Sequence, residues 1–224
     1  MKIALQALAS AVFGLLFFGL ALFLPAGTFA YWQAWVFIAV FSACSLVSSV
    51  YLAVRHPAAL ARRMNAGPTA ETRPVQRIII SAIVLSVVAV LVVSALDWRF
   101  GWSTVPVWVV VVGDALVALG LVGTQIVVMQ NNYAGASITV EADQPLVSNG
   151  LYGIVRHPMY AGSPLVNVGL GLWLGSYAAM LFAVVPLALL LLRIVIEERF
   201  LRRELPGYGE YAARVPYRLL PGVW

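Results

Sequence analysis

One cysteine, two histidines and very few charges are the first constraints that this 224-residue chain imposes. A lone Cys44 rules out an internal disulfide framework, and its apolar neighbours suit a small core residue. Asp, Glu, Lys and Arg supply 10% of the residues, against about 25% in soluble domains, which excludes an ordinary water-soluble fold. No glycine-rich dinucleotide fingerprint and no low-complexity tract are present. The one internal echo is Val54-Arg55-His56-Pro57 with Val155-Arg156-His157-Pro158, and the first copy reads as the basic end of a membrane span. Hydrophobic residues make up 62% of the chain, gathered in runs close to the ~20 residues that a bilayer crossing requires.

These runs cover about 3–24, 32–54, 77–96, 105–129, 159–175 and 177–195. They predict an all-α, polytopic transmembrane bundle of about six segments, the last two a helical hairpin. The run after Met1-Lys2 exceeds the roughly 7–15 apolar residues of a signal peptide core and reads as a span. The chain divides into N-terminal transmembrane helices over 1–129 and a core over 130–224 made of a loop, the final hairpin and a tail. Arg55, Arg62, Arg63, Arg73 and Arg77 cluster around the connection 55–76, which marks it as cytoplasmic. An even number of spans then puts both termini inside, together with Lys2, Arg156, Arg193, Arg199, Arg202, Arg203, Arg214 and Arg218, and leaves Arg99 outside. Tyr31, Trp32, Trp35, Trp98, Trp102, Trp108, Trp173 and Tyr177 fall near the outer interface, where amphipathic rings settle. The net charge of +5 accordingly reflects orientation and contact with anionic membrane lipids, and it gives no reason to invoke nucleic acid.

In so apolar a chain the clustering of polar groups is informative. Gly150-Leu151-Tyr152-Gly153-Ile154-Val155-Arg156-His157-Pro158-Met159-Tyr160-Ala161-Gly162 stands at the foot of the fifth run. The loop before it carries Asn131, Asn132, Tyr133, Glu141, Asp143, Gln144 and Pro145, enough polar side chains to bind a ligand. A hairpin turning near Gly175-Ser176 brings Pro158 level with Arg193 and Ile154 level with Glu197. Arg193 and Glu197, four apart, share one helix face, while Glu198 projects about 100° away. Ionisable groups at the membrane edge are functional candidates by default, and the competing reading of Arg193 is a side chain that snorkels to the interface. Asp114, inside the fourth run, reads equally as a helix-contact residue. Tyr208, Tyr211 and Tyr217 alternate with Arg214 and Arg218 in a tail that could fold back as a lid.

Leu146-Val147-Ser148-Asn149-Gly150-Leu151-Tyr152, Val155 to Gly162, Arg193 with Glu197-Glu198, and Tyr208, Tyr211 and Arg214-Val215-Pro216 together resemble the C-terminal half of the isoprenylcysteine carboxyl methyltransferase and phospholipid methyltransferase superfamily. The likeness covers about residues 130–224; residues 1–125 share only their apolar spans. It implies an integral membrane methyltransferase that uses S-adenosylmethionine, acts on a lipid-like or prenylated acceptor, and needs no metal. Carried over by position, cofactor contacts fall on Gln144, Pro145, Leu146, Val147, Tyr152, His157, Pro158, Met159, Tyr160 and Glu197. Arg193 falls on the substrate side, and Arg193, Glu197 and His157 form the implied catalytic set. Gln144 stands where eukaryotic members tend to have His, and Pro206-Gly207-Tyr208 shortens their Phe-Gly-Glu-Glu-Tyr.

Two other readings compete: a sterol-reductase-like enzyme using NADPH, and a non-catalytic transporter or heme-handling protein in which His157 and Asp114 serve a pathway. The topology has its own test. Single cysteines at Thr69 and Ser103 should be labelled by impermeant thiol reagents from opposite sides of the membrane, and labelling from one side would refute the six-segment arrangement.

Overall fold

In hydrocarbon a backbone must satisfy its own N–H and C=O groups, and each long apolar run accordingly folds as a helix. The computed structural model describes residues 2–64, 67–71, 73–133, 140 and 144–224, with the backbone alone for 2–8. In chain order the helices are α1 (Lys2–Ala26), α2 (Trp32–Arg55), α3 (Pro57–Met64), α4 (Pro74–Phe100), α5 (Val107–Gln130), α6 (Pro158–Ala161), α7 (Ser163–Trp173), α8 (Tyr177–Glu204) and α9 (Tyr208–Arg214). The described residues contain no strand. Five helices, α1, α2, α4, α5 and α8, are long and apolar enough to cross a membrane. Phe13, Leu16, Val47, Leu85 and Leu181 point outward from them, as lipid-facing side chains do.

The expected fifth span has a more particular form. Its apolar run is broken at Gly162 into α6 and α7, so it is too short to count among the long helices, and residues 158–173 rise only roughly 24 Å. The run packs along α5 through glycines. A Cβ on Gly113 would stand 2.4 Å from the Trp173 amide nitrogen and 2.8 Å from the Gly169 carbonyl oxygen, and one on Gly120 would stand 2.8 Å from the Gly162 carbonyl oxygen. Backbone meets backbone at these points, the close approach that small residues permit between membrane helices.

The helix ends around the α7–α8 turn are tied by polar contacts inside an apolar cluster. Tyr31 donates its hydroxyl to the Leu174 carbonyl at 2.5 Å and stacks on Trp98, while Trp173, beside Phe37, is 1% exposed. Asp97, at the end of α4, accepts from the Ser103 amide at 2.6 Å, from the Ser103 hydroxyl at 2.7 Å and from the Ser176 hydroxyl. Ser176 in turn caps α8 by accepting from the Ala179 amide at 3.0 Å. Between α7 and α8 the chain reverses at Gly175, whose φ of 71° favours glycine. Because Ser103 is engaged with Asp97, the exposed Thr104 is the better labelling position on that side.

From this pinned turn, α8 runs 28 residues, about 42 Å. That exceeds a hydrocarbon core of ~30 Å, so its final turns emerge at the far side carrying Glu197 to Glu204, with Arg193 just inside that edge. The α5/α7 seam yields a prediction. Gly113→Ala should destabilise the bundle by about 1–3 kcal/mol, the usual cost of overpacking. Gly123→Ala, with nothing within 4 Å of its Cβ, should not. Thermal unfolding in detergent compares the two.

Candidate active site

The Arg-His-Pro segment owes its shape to proline. A residue before proline is kept out of the helical region, and His157 is accordingly non-helical, with φ −123° and ψ 61°, ahead of Pro158 at the first turn of α6. The amides of Arg156 and His157 are left without a helical acceptor. The C-terminal segment supplies one, as they donate to the carbonyls of Tyr217 and Arg218, both at 2.9 Å. The Arg156 guanidinium binds the same strap, donating to the carbonyls of Val215 at 2.7 Å and Pro216 at 2.9 Å.

Beneath the strap lies Glu198, 4% exposed. It accepts from Arg156 Nε at 2.6 Å and from Arg218 Nε at 3.0 Å, and His157 Nε2 stands 3.4 Å from its Oε1. That last distance is long for a hydrogen bond, and His157 Nε2 makes none among the described residues. Arg218 also lies over the Trp224 ring at 4.8 Å. The 100° displacement of Glu198 from the Arg193 face is real, and it turns this carboxylate toward Arg156 and the tail.

A second chain of contacts runs along the other face of α8. Tyr160 donates its hydroxyl to Glu197 Oε2 at 2.8 Å and accepts from Arg193 Nε at 3.0 Å. Arg193 Nη1 donates to Gln76 Oε1 at 3.2 Å, and Nη2 to Glu71 Oε1 at 2.8 Å. Arg193 is 2% exposed, so it does not snorkel. Its fork is held by Glu71, Gln76 and Tyr160, whereas the resemblance puts Arg193 on the substrate side. Neither Glu71 nor Gln76 carries any local signal of this role. They lie 122 and 117 residues from Arg193, beyond any helical or hairpin spacing.

Between the two networks opens a cleft, walled by Asn131, Tyr133, residues 144–147, the Tyr152–Tyr160 segment, α8 and α9. Its space is about 780 Å³ including the part open to solvent, within the range of small-molecule sites. Gln144, Pro145, Leu146, Val147, Tyr152, His157, Pro158, Met159, Tyr160 and Glu197 all line it; Arg193 stands behind Tyr160, outside the lining. Asn131, Tyr133, Arg156, Leu201, Leu205, Tyr208 and Tyr211 complete the wall. Tyr208 and Tyr211 reach it because Gly207, at φ 78°, reverses the chain after α8, folding the tail back. Asp114 is not part of the cleft, and Glu141 and Asp143 lie outside the described residues.

The loop is anchored by polar bonds: Asn131 Nδ2 to the Tyr152 hydroxyl at 3.1 Å, and the Tyr211 hydroxyl to the Tyr152 carbonyl at 2.7 Å. Burial pushes the hydroxyls of Tyr152, Tyr208 and Tyr211 up from their ordinary pKa, so all three stay neutral. The Tyr208 hydroxyl, like His157 Nε2, is buried without a hydrogen-bond partner among the described residues. Two unsatisfied polar atoms thus belong to residues of one cleft wall, a cost that a polar ligand would remove. No three His, Cys, Asp or Glu side chains gather as a metal site among the described residues.

Known proteins share this region. Residues 108–207 match the family described as phospholipid methyltransferase. The chain is 27% identical over 162 residues to the cobalt-zinc-cadmium resistance protein CzcN of Cupriavidus metallidurans, across 72% of this chain and 69% of that protein. It is 28% identical over 144 residues to the nickel-cobalt-cadmium resistance protein NccN of Alcaligenes xylosoxydans xylosoxydans, across 62% of each. It is 40% identical over 78 residues to protein-S-isoprenylcysteine O-methyltransferase B of Arabidopsis thaliana, 34% of this chain and 40% of that enzyme.

The two glutamates should separate by variant. Glu198→Gln leaves the buried Arg156 without its counter-ion and should cost about 3–5 kcal/mol of stability, as broken buried pairs do. Glu197→Gln retains an acceptor for the Tyr160 hydroxyl and should melt near wild type in a detergent thermal-shift series.

Proposed function

We propose, from the match of residues 108–207 to the phospholipid methyltransferase family, that this chain is an integral membrane enzyme of that family transferring a methyl group from S-adenosylmethionine to a lipid-like acceptor. The observation that carries the reading is the cleft at the foot of the last hairpin, lined by all ten residues that the resemblance assigns to the cofactor.

The donor set suits such a molecule. Glu197 is a half-buried carboxylate that accepts one hydrogen bond among the described residues, from Tyr160, and it would hold the cofactor's ammonium group. The rings of Tyr152, Tyr160 and Tyr208 offer faces to a cation, while Leu146, Val147, Leu201 and Leu205 supply apolar wall for adenine. His157 Nε2 and the Tyr208 hydroxyl are the free polar atoms that would meet its remaining polar groups. When bound, S-adenosylmethionine supplies an already activated methyl group on a cationic sulfonium. The protein's work is therefore alignment and exclusion of water. Arg193 does this from behind, fixing the Tyr160 hydroxyl between itself and Glu197. For an acceptor that must lose a proton, His157 Nε2 is the base, because Glu198 is fully engaged with two guanidiniums.

Both termini, the basic connection and the cleft face the cytoplasm in this reading, following the arginine distribution. The acceptor's tail stays in the bilayer while its head reaches the cleft at the depth of Tyr160. Titration calorimetry tests the cofactor. S-adenosylhomocysteine should bind wild type, and Glu197→Gln should weaken it by about 1.5–3 kcal/mol, the worth of a hydrogen bond to a charged group. Equal affinity for both proteins, or binding of NADPH in its place, would overturn the assignment.

A further inference from the structure

The cleft's back wall specifies the charge of the acceptor. Arg193 and Glu71 form an ion pair at 2.8 Å with side chains 2% and 3% exposed, so the pair is neutral as a unit and shielded from solvent. Two carboxylates and two further guanidiniums stand nearby. Glu198 engages Arg156 at 2.6 Å and Arg218 at 3.0 Å, and Glu197 meets a tyrosine hydroxyl. At the mouth, Arg62 stacks over the Tyr133 ring at 4.4 Å and donates to the Asn132 carbonyl at 3.3 Å. Arg156 and Arg193, the buried guanidiniums of this wall, are each taken by a carboxylate of the protein itself. An anionic head arriving beside Tyr160 would meet Glu197 and a neutralised Arg193. Burying a charge without a counter-ion is costly.

We propose that Glu71 is a specificity-determining residue: by holding the Arg193 fork, its carboxylate makes the site reject carboxylate acceptors and select a head that carries no negative charge, such as an amine. The segment carrying Glu71 is fixed for this task. The Glu71 carbonyl accepts from Arg77 at 3.2 Å, and Arg73, two residues on, lies over the Phe200 ring of α8 at 3.4 Å. A second feature points to a polar head nearby. Gln76 is 0% exposed, and with its oxygen given to Arg193 its amide nitrogen has no partner among the described residues, leaving a donor suited to a neutral oxygen or nitrogen acceptor atom.

The inference rests on the methyltransferase reading, and the test keeps the two apart. Purified protein is given radiolabelled S-adenosylmethionine and two amphiphiles of one isoprenoid tail, ending in a carboxylate or in a primary amine. Wild type should methylate the amine at least about tenfold faster in kcat/KM, a difference of ~1.4 kcal/mol. Glu71→Gln should raise kcat/KM for the carboxylate relative to that for the amine about tenfold or more. Glu71→Asp, which keeps the charge, should behave as wild type. A wild-type preference for the carboxylate overturns the proposal without any variant, so it survives a Glu71→Gln protein that fails to fold. If neither amphiphile is methylated, the methyltransferase reading fails, and titration of both amphiphiles without methyl donor still decides on Glu71. Tighter binding of the carboxylate to Glu71→Gln than to wild type supports its role, and unchanged binding refutes it.

Discussion

Glu198 is the contact on which the part of this molecule around the foot of the last hairpin depends. Two guanidiniums reach it from opposite sides of the sequence, Arg156 from the segment before α6 and Arg218 from the C-terminal strap. Through Arg156 and its bonds to the carbonyls of Val215 and Pro216, the carboxylate ties the tail over the foot of the last hairpin. Only with the tail so placed do Tyr208 and Tyr211 stand opposite Tyr152 and close the cleft. Burial makes the arrangement demanding, because a carboxylate 4% exposed must be fully compensated. The two faces of α8 thus divide the labour: Glu198 is saturated and structural, whereas Glu197, one residue away, is left with one hydroxyl and an open cleft.

Much of this could be read from the residues in order. Apolar run lengths anticipated α1, α2, α4, α5 and α8, and the hairpin geometry set Tyr160 at the depth of Arg193, with Glu197 one turn further along; the Tyr160 hydroxyl bridges the two. The tail's return was foreseen from its aromatic and basic composition. The short fifth run was harder, because Gly162 breaks it into two helices and its packing on α5 depends on backbone contacts that hydropathy does not register. Glu198 was undervalued for a geometric reason. A face calculation on one helix places it away from Arg193 correctly, but it cannot see the strap that fills that side. Glu71 and Gln76 had no signal at all, since a contact across more than a hundred residues leaves no periodicity.

Two relatives carry metal-resistance names and a third is named as an isoprenylcysteine methyltransferase. The cleft itself has two differently built sides. One side of the cleft is built from contiguous stretches, 144–147 and 152–160, braced by the Glu198 hub. The other is backed by Arg193, which the α3–α4 connection reaches through Glu71. Under the proposal above, acceptor charge would be set by Glu71, a residue outside the matched segment 108–207.

The central claim is that the cleft at the foot of α8 holds S-adenosylmethionine. It is tested most directly by ultraviolet crosslinking of methyl-labelled S-adenosylmethionine to the purified protein in detergent, followed by peptide mapping. Label confined to residues 144–160 and 197–211, and abolished by excess S-adenosylhomocysteine but not by NADPH, is the expected result. Label in the N-terminal helices, or protection by NADPH alone, would contradict it.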